Sequence, residues 1–258
     1  MDLNLKNKVA IVGGASMGIG YGIARTLAAE GVKVAMTARH EPALRDVAEK
    51  LRATGAEVLP VQADCRRAED CKRVVETVAA AWGGVDILVN NDGAPPLGDI
   101  MSLDDLAWQK AIEQNLMYVV RMVREAVPHM IRRGGGSVVN ITALSAIQPY
   151  AGFALSVASW GGVIGYAKTL SIELAHSGIN VNTICPGYID TTRLEKVFAA
   201  GGQDPNVMRN ELISQVPMGR IGTVDDVASL VALLASARGN YITGTTIQVD
   251  GGLLKHVR

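Results

Sequence analysis

Aromatic residues are scarce, at 4% of 258 residues, too few for a base-stacking surface. Neither charge dominates: 25 basic residues balance 25 acidic ones, with no basic block. Nucleic acid and anionic membrane are therefore not expected as partners. No uninterrupted apolar run reaches membrane-spanning length. The opening residues Met1–Lys8 lack the pattern of a secretory signal. Cysteine is limited to Cys65, Cys71 and Cys185, an odd number without metal-ligand spacing. A reducing, cytoplasmic setting fits them, and their plain reading is buried or incidental thiols. His40, His129, His176 and His256 fall on expected loops or helix surfaces, without partners at metal spacing. The expected ligand is a small molecule, with no metal.

What is present begins with the stretch Val9–Gly20. Mostly apolar, β-branched residues lead into it, as in a buried parallel strand. Glycines follow at 13, 14, 18 and 20, and then apolar residues at helical spacing from Tyr21. A strand, a glycine-rich turn and a helix start make a phosphate site. Backbone N–H groups and the helix dipole face the turn, and missing side chains let a pyrophosphate approach. That context makes Gly14, Ser16, Met17, Gly18, Ile19 and Gly20 candidate contacts to a dinucleotide.

Strand and helix patterns then alternate. Strands are expected at Lys33–Thr37, Glu57–Val61, Val85–Asn90, Ser137–Thr142, Ile179–Ile184 and Thr245–Val249. Helices are expected at Glu41–Ala53, Arg66–Trp82, Leu103–Arg133, Phe153–His176 and Val224–Ala235. The alternation implies a doubly wound, Rossmann-type α/β fold: a parallel sheet of about seven strands with helices on both faces. No repeat or linker interrupts it, so residues 1–258 read as one dinucleotide-binding domain. Residues 188–219 break the rhythm and read as a long loop, either a substrate lid or a surface insertion.

In such a sheet, ligands bind outside the carboxyl ends of the strands. Arg39 follows the second strand, where no carboxylate stands to bind a ribose 2′-OH. A guanidinium fork there favours the 2′-phosphate of NADP(H), with NAD(H) the alternative. Met17 leaves the glycine turn without a second basic residue. Asp64 can accept from the adenine amino group with Cys65 beside it, or can simply open a turn. Asn91, Asp92 and Gly93 form a polar turn after the fourth strand, and Pro186-Gly187, followed by Ile189, forms a rigid bend fit to support a nicotinamide amide.

Together these residues resemble the short-chain dehydrogenase/reductase superfamily, in its compact single-domain branch. The family's T-G-x-x-x-G-x-G stands as Gly13–Gly20, with the threonine replaced, and its N-N-A-G as Asn90–Gly93. Asn180–Gly187 matches its late strand and bend, and Ile242–Gly244 with Val249–Gly252 its C-terminal edge. The resemblance implies a nicotinamide cofactor and a homotetramer or homodimer. It also implies hydride transfer by Asn, Ser, Tyr and Lys, the last two as Y-x-x-x-K. Lysine there holds the ribose and lowers the phenol pKa from about 10. Alignment on Ile164–Leu170 puts Ser156 at the Tyr position, Trp160 at the Lys position and Ala143 at the Ser position. Only Asn115 remains.

Trp160 can pack on the ribose or nicotinamide, or can fill core. Ser145, two residues past Ala143, can supply a hydroxyl to the same side if strand alternation continues. Tyr150 can bring a phenol from the loop before the helix, and Ser156 itself carries a weakly acidic hydroxyl. Asp92 and Tyr188 are further candidates near the cofactor and substrate. The leading expectation is an NADP(H)-linked oxidoreductase interconverting carbonyl and alcohol with an altered acid–base set, Asn115, Ser145, Tyr150 and Ser156. The alternatives are an inactive cofactor-binding sensor or partner subunit, and a non-redox lyase or isomerase.

Overall fold

The computed structural model describes residues 2–91, 93, 95–192, 194–195 and 204–255. Seven strands form one parallel sheet: β1 (Val9–Val12), β2 (Lys33–Ala38), β3 (Val58–Gln62), β4 (Ile87–Asn90), β5 (Gly136–Ile141), β6 (Ile179–Pro186) and β7 (Thr246–Val249). Their order is β3-β2-β1-β4-β5-β6-β7, so the direction of winding reverses between β1 and β4. That reversal opens a crevice at the carboxyl ends of the strands, which is where the glycine-rich turn lies.

The strands are short and apolar because helices cover both faces. Successive side chains serve opposite cores. Ala10, Val12, Ile87 and Val89 join the core under α1 (Gly18–Ala29), α2 (Glu41–Arg52) and α8 (Val224–Leu234). Val9, Ile11 and Leu88 join the core under α3 (Ala68–Trp82), α5 (Tyr118–Arg132) and α6 (Ala154–Leu174). Caps fix where helices begin. Asp104 accepts from Ala107 N ahead of α4 (Asp105–Ile112), and Thr223 and Asp226 form a reciprocal capping box on α8.

Two sequence expectations are refined. The helical stretch expected at Leu103–Arg133 runs unbroken from Asp105 to Arg132, with a π turn at Glu113–Met117 between α4 and α5. Residues 188–219 are not simply a loop: they contain α7 (Pro205–Gln215), capped by Asp204. Polar composition concealed α7, which has no buried face to give it an apolar stripe. Among the described residues no helix is long and apolar enough to cross a membrane, and no group of His, Cys, Asp and Glu fits a metal ion.

Candidate functional site

Helix α1 starts at Gly18 with an open N-terminus. Its N-cap, Met17, makes no side-chain bond to it, and its first turn holds no acid. The unspent amides and the dipole make an anion seat. Gly14 and Gly18 take left-handed φ values of 56°, the conformation glycine adopts without strain. A Cβ at Gly20 would overlap the Gly14 carbonyl and lie 2.7 Å from Asn91 Nδ2. Asn91 Nδ2 also donates to the Gly13 carbonyl at 3.0 Å. At Gly14 and Gly20 the cradle is thus backbone packed on one amide side chain, with no room for a Cβ. Ser16 is half-buried and Met17 exposed in the turn, while Ile19 packs into the core.

Arg39 and Asp64 leave the neighbouring ends of β2 and β3, paired as far as Ala38 and Gln62. Arg39 is exposed, and its carbonyl accepts from Gln62 Nε2. The Asp64 carboxylate accepts from Arg66 Nε at 2.8 Å and from Arg66 Nη2 at 2.5 Å. The Arg66 guanidinium holds the Asp64 carboxyl below its ordinary range, and Arg39 adds to that pull. Cys65 is buried, and its carbonyl accepts from Cys71 Sγ. Asp92 lies outside the described residues, as do His256 and parts of 188–219.

The π turn brings Asn115 inward, to 3% exposure. With its amide oriented to satisfy its surroundings, Asn115 donates to the Gly93 carbonyl at 3.1 Å and accepts from Trp160 Nε1 at 3.3 Å. The Ser159 hydroxyl stands 2.8 Å from the same amide. Trp160 is buried in the core cluster with Tyr118 and Val163, and its N–H turns toward Asn115. A cavity of about 10 Å³ lies between Asn90, Asn115, Tyr118, Thr142 and Trp160, about the space of one water.

Ser156 sits in the first turn of α6 and is 1% exposed; Ser145 is 4% exposed. Neither hydroxyl has a hydrogen-bond partner. Strand alternation does not carry Ser145 to the Ala143 side as the sequence suggested, because Leu144–Ala146 is a 3₁₀ turn. The Tyr150 hydroxyl accepts from Gln148 Nε2 at 2.9 Å, and its ring meets Phe153 edge-on. Burial pushes the Tyr150 phenol up, and Asp250 adds to the shift. Burial likewise raises Tyr188, with Tyr150 contributing. These two phenols and Asp250 therefore share one electrostatic neighbourhood past the ends of β6 and β7.

Pro186 is buried at the end of β6, and Gly187 N donates to the Val249 carbonyl at 3.0 Å. A Cβ at Gly187 would press on Asp250. Ile189 is buried and bridges to Gly222. The chain then passes over the glycine turn. The Thr191 methyl lies 3.5 Å from where a Gly18 Cβ would stand, and Thr192 Oγ1 lies 3.6 Å from Met17 Sδ. Thr191, Thr192 and Tyr118 were not singled out from the sequence. A pair of threonines in a long segment carries no period, and Tyr118 reads as one more apolar helix position.

A family model described as enoyl-(acyl carrier protein) reductase matches residues 14–254. The 3-oxoacyl-(acyl-carrier-protein) reductase FabG of Staphylococcus epidermidis is 36% identical over 248 residues, covering 96% of this chain and 99% of that protein. That of Salmonella typhimurium is 36% identical over 251 residues, covering 97% and 99%. L-sorbose reductase from Gluconobacter frateurii, solved with NADPH and L-sorbose, superposes with a TM-score of 0.95 at 33% identity over 100% of both chains. A variant of actinorhodin polyketide ketoreductase, solved with NADPH, gives 0.90 at 35% identity, covering 95% and 97%. With this topology, this glycine cradle and likeness along nearly its whole length, the chain belongs to the short-chain dehydrogenase/reductase superfamily.

Proposed function

We propose that the protein is an NADP(H)-linked oxidoreductase that reduces a carbonyl compound to its alcohol, using hydroxyl groups other than a tyrosine–lysine pair. The cofactor fits the residues present. The open N-terminus of α1 and the backbone of Gly14–Gly20 hold the pyrophosphate. Arg39 holds the 2′-phosphate, and Gly187 with Ile189 lines the nicotinamide end. The NADPH complexes of the sorbose reductase and the polyketide ketoreductase support the same choice. When bound, the nicotinamide supplies the hydride.

The observation that carries this reading is the pair of buried, partnerless hydroxyls, Ser145 and Ser156. A buried hydroxyl without a partner costs about 1–3 kcal/mol. A substrate oxygen reaching either hydroxyl, at the 3₁₀ turn Leu144–Ala146 or at the start of α6, would offset that cost. The direction follows from acidity. Burial makes a phenolate harder to form at Tyr150 and at Tyr188, and at Tyr150 it outweighs the Gln148 hydrogen bond that pulls the other way. A poor base extracts a proton from an alcohol slowly. The same weakly acidic hydroxyl can still protonate an alkoxide, which is a stronger base. Reduction is therefore served better than oxidation.

The test follows NADPH absorbance over a panel of ketones, 3-oxoacyl thioesters and ketoses. Turnover is expected for at least one class, and Ser145→Ala with Ser156→Ala lowers it at least about tenfold, the scale of a lost general-acid contact. No turnover with any class, while NADPH binds, would sink the proposal. The competing reading is binding without turnover, favoured by one observation: an indole N–H engages Asn115 where the family carries an ammonium. The combined change Ser156→Tyr, Trp160→Lys and Ala143→Ser separates the two. It creates activity from none under the second reading and only raises it under the first. Residues 188–219 complete the proposal as a lid. Helix α7 buries none of its side chains, and Arg209 ties it to Asp190 through a bidentate ion pair. We also propose a homo-oligomer. Strand β7 ends the sheet, and the adjoining Tyr241 is 99% exposed. Such an edge is commonly covered by a second copy, and light scattering tests it.

A further inference from the structure

Gly13 is a glycine that its own backbone does not require. Unlike Gly14 and Gly18, it does not take the left-handed conformation. What excludes a side chain is external. A Cβ built on Gly13 would overlap the hydroxyl oxygen of Tyr118 and stand 2.9 Å from the Asn91 carbonyl. The phenol therefore rests in the volume a residue-13 side chain would take, directly beneath the cofactor turn.

Tyr118 reaches that point from the other side of the site. It is the first residue of α5, immediately past the π turn that carries Asn115, and it is 3% exposed. Its ring borders the same small cavity as Asn90, Asn115 and Trp160. Gly13 is pinned from above as well: its N–H donates to the Val89 carbonyl, and its carbonyl accepts from Asn91 Nδ2. One rigid side chain thus spans from the Asn115–Trp160 wall to the backbone that seats the pyrophosphate.

We infer that Tyr118 is a positioning residue. Its hydroxyl is the spacer that sets the glycine-rich turn against the Asn115–Trp160 wall, and together with the Asn91 carbonyl it makes Gly13 obligatory. The inference rests on the reading of Gly13–Gly20 as the cofactor turn. It makes positions 13 and 118 a coupled pair: adding one carbon at 13 costs less once the oxygen at 118 is removed, the tighter of its two overlaps, while the Asn91 carbonyl at 2.9 Å still has to give.

The experiment is a double-mutant cycle of Gly13→Ala and Tyr118→Phe, read by NADPH titration and by thermal unfolding. Gly13→Ala alone is expected to weaken NADPH binding at least about tenfold, the scale of a forced backbone shift. Tyr118→Phe alone keeps the ring and the fold. It weakens NADPH binding several-fold while leaving the melting temperature nearly unmoved, a split that a purely structural tyrosine would not give. In the Tyr118→Phe background, Gly13→Ala should still cost something, because the Asn91 carbonyl remains, but at least about threefold less than in wild type, a coupling of the sign and size seen for contacting residues. Independent, multiplying effects would overturn the inference, as would wild-type binding by Gly13→Ala. If Gly13→Ala fails to fold, recovery of folding by the double variant supports the inference, and a Tyr118→Phe variant whose NADPH affinity equals wild type overturns it. If the wild-type protein binds no NADPH, the functional reading fails separately. The coupling is then judged from unfolding, with the same outcomes.

Discussion

On the proposed reading Arg39 answers the 2′-phosphate alone, because Met17 brings no second cation to the glycine turn. A guanidinium on the 2′-phosphate makes a charge-assisted hydrogen bond, worth about 1.5–3 kcal/mol. Arg39→Ala should therefore weaken NADPH binding by about 10- to 100-fold and leave NADH binding nearly unchanged, as measured by calorimetric titration. Equal losses for both cofactors would remove Arg39 from the 2′-phosphate. Trp160 poses a different question, because its indole both fills core and donates to Asn115. Trp160→Phe keeps most of the volume and deletes the donor. It should lower stability by about 1–2 kcal/mol, with Asn115 left short of a partner, as read by urea unfolding.

At the scale of elements, the start of helix α8 is tied to the segment just before it. Asp226 accepts from Thr223 N and from both Arg220 Nη atoms, closing the capping box and an ion pair together. The Arg220 guanidinium, then the Thr223 amide, depress the Asp226 carboxyl well below the usual carboxylate range. A carboxyl lowered on folding contributes stability that is fully present above the unfolded value, about 3.9, and fades as pH falls below it. Asp226→Asn should thus melt below wild type at pH 7, by the margin of a lost cap, about 1 kcal/mol. The gap should narrow as pH drops through 4 to 2 in calorimetric scans. A gap that widened on acidification would contradict the assignment.

The whole molecule gains from any ligand that binds only the folded state. At a hundredfold excess over Kd the gain is about 2.7 kcal/mol. For a chain of this size each kcal/mol is worth roughly 2 °C. Saturating NADPH should therefore raise the melting temperature by about 5 °C, and NADH at equal concentration by less. The shift should disappear in Gly20→Ala, whose Cβ would overlap the Gly14 carbonyl. An undiminished shift in that variant would move the cofactor away from the turn.

The sequence alone carried the sheet, because apolar periodicity is a local property. Each strand read from the pattern has its counterpart, and the glycine cradle lies where strand, turn and helix start coincide. Ser156 and Trp160 could be registered from the chain because one ungapped helix numbers them. What the chain could not convey were relations that cross it. The π turn that turns Asn115 inward is a misfit of hydrogen bonding, invisible to residue type. The helix Pro205–Gln215 has no buried face, so it left no apolar stripe to read. Ser145 and Ser156 became informative only when packing left both hydroxyls buried without partners. Gly13 looked like one more turn glycine until the tertiary structure set the Tyr118 oxygen, 105 positions away, in the space of its missing side chain. Periodicity and spacing act between neighbours in the chain; exclusion, burial and unmet hydrogen bonds act between neighbours in space.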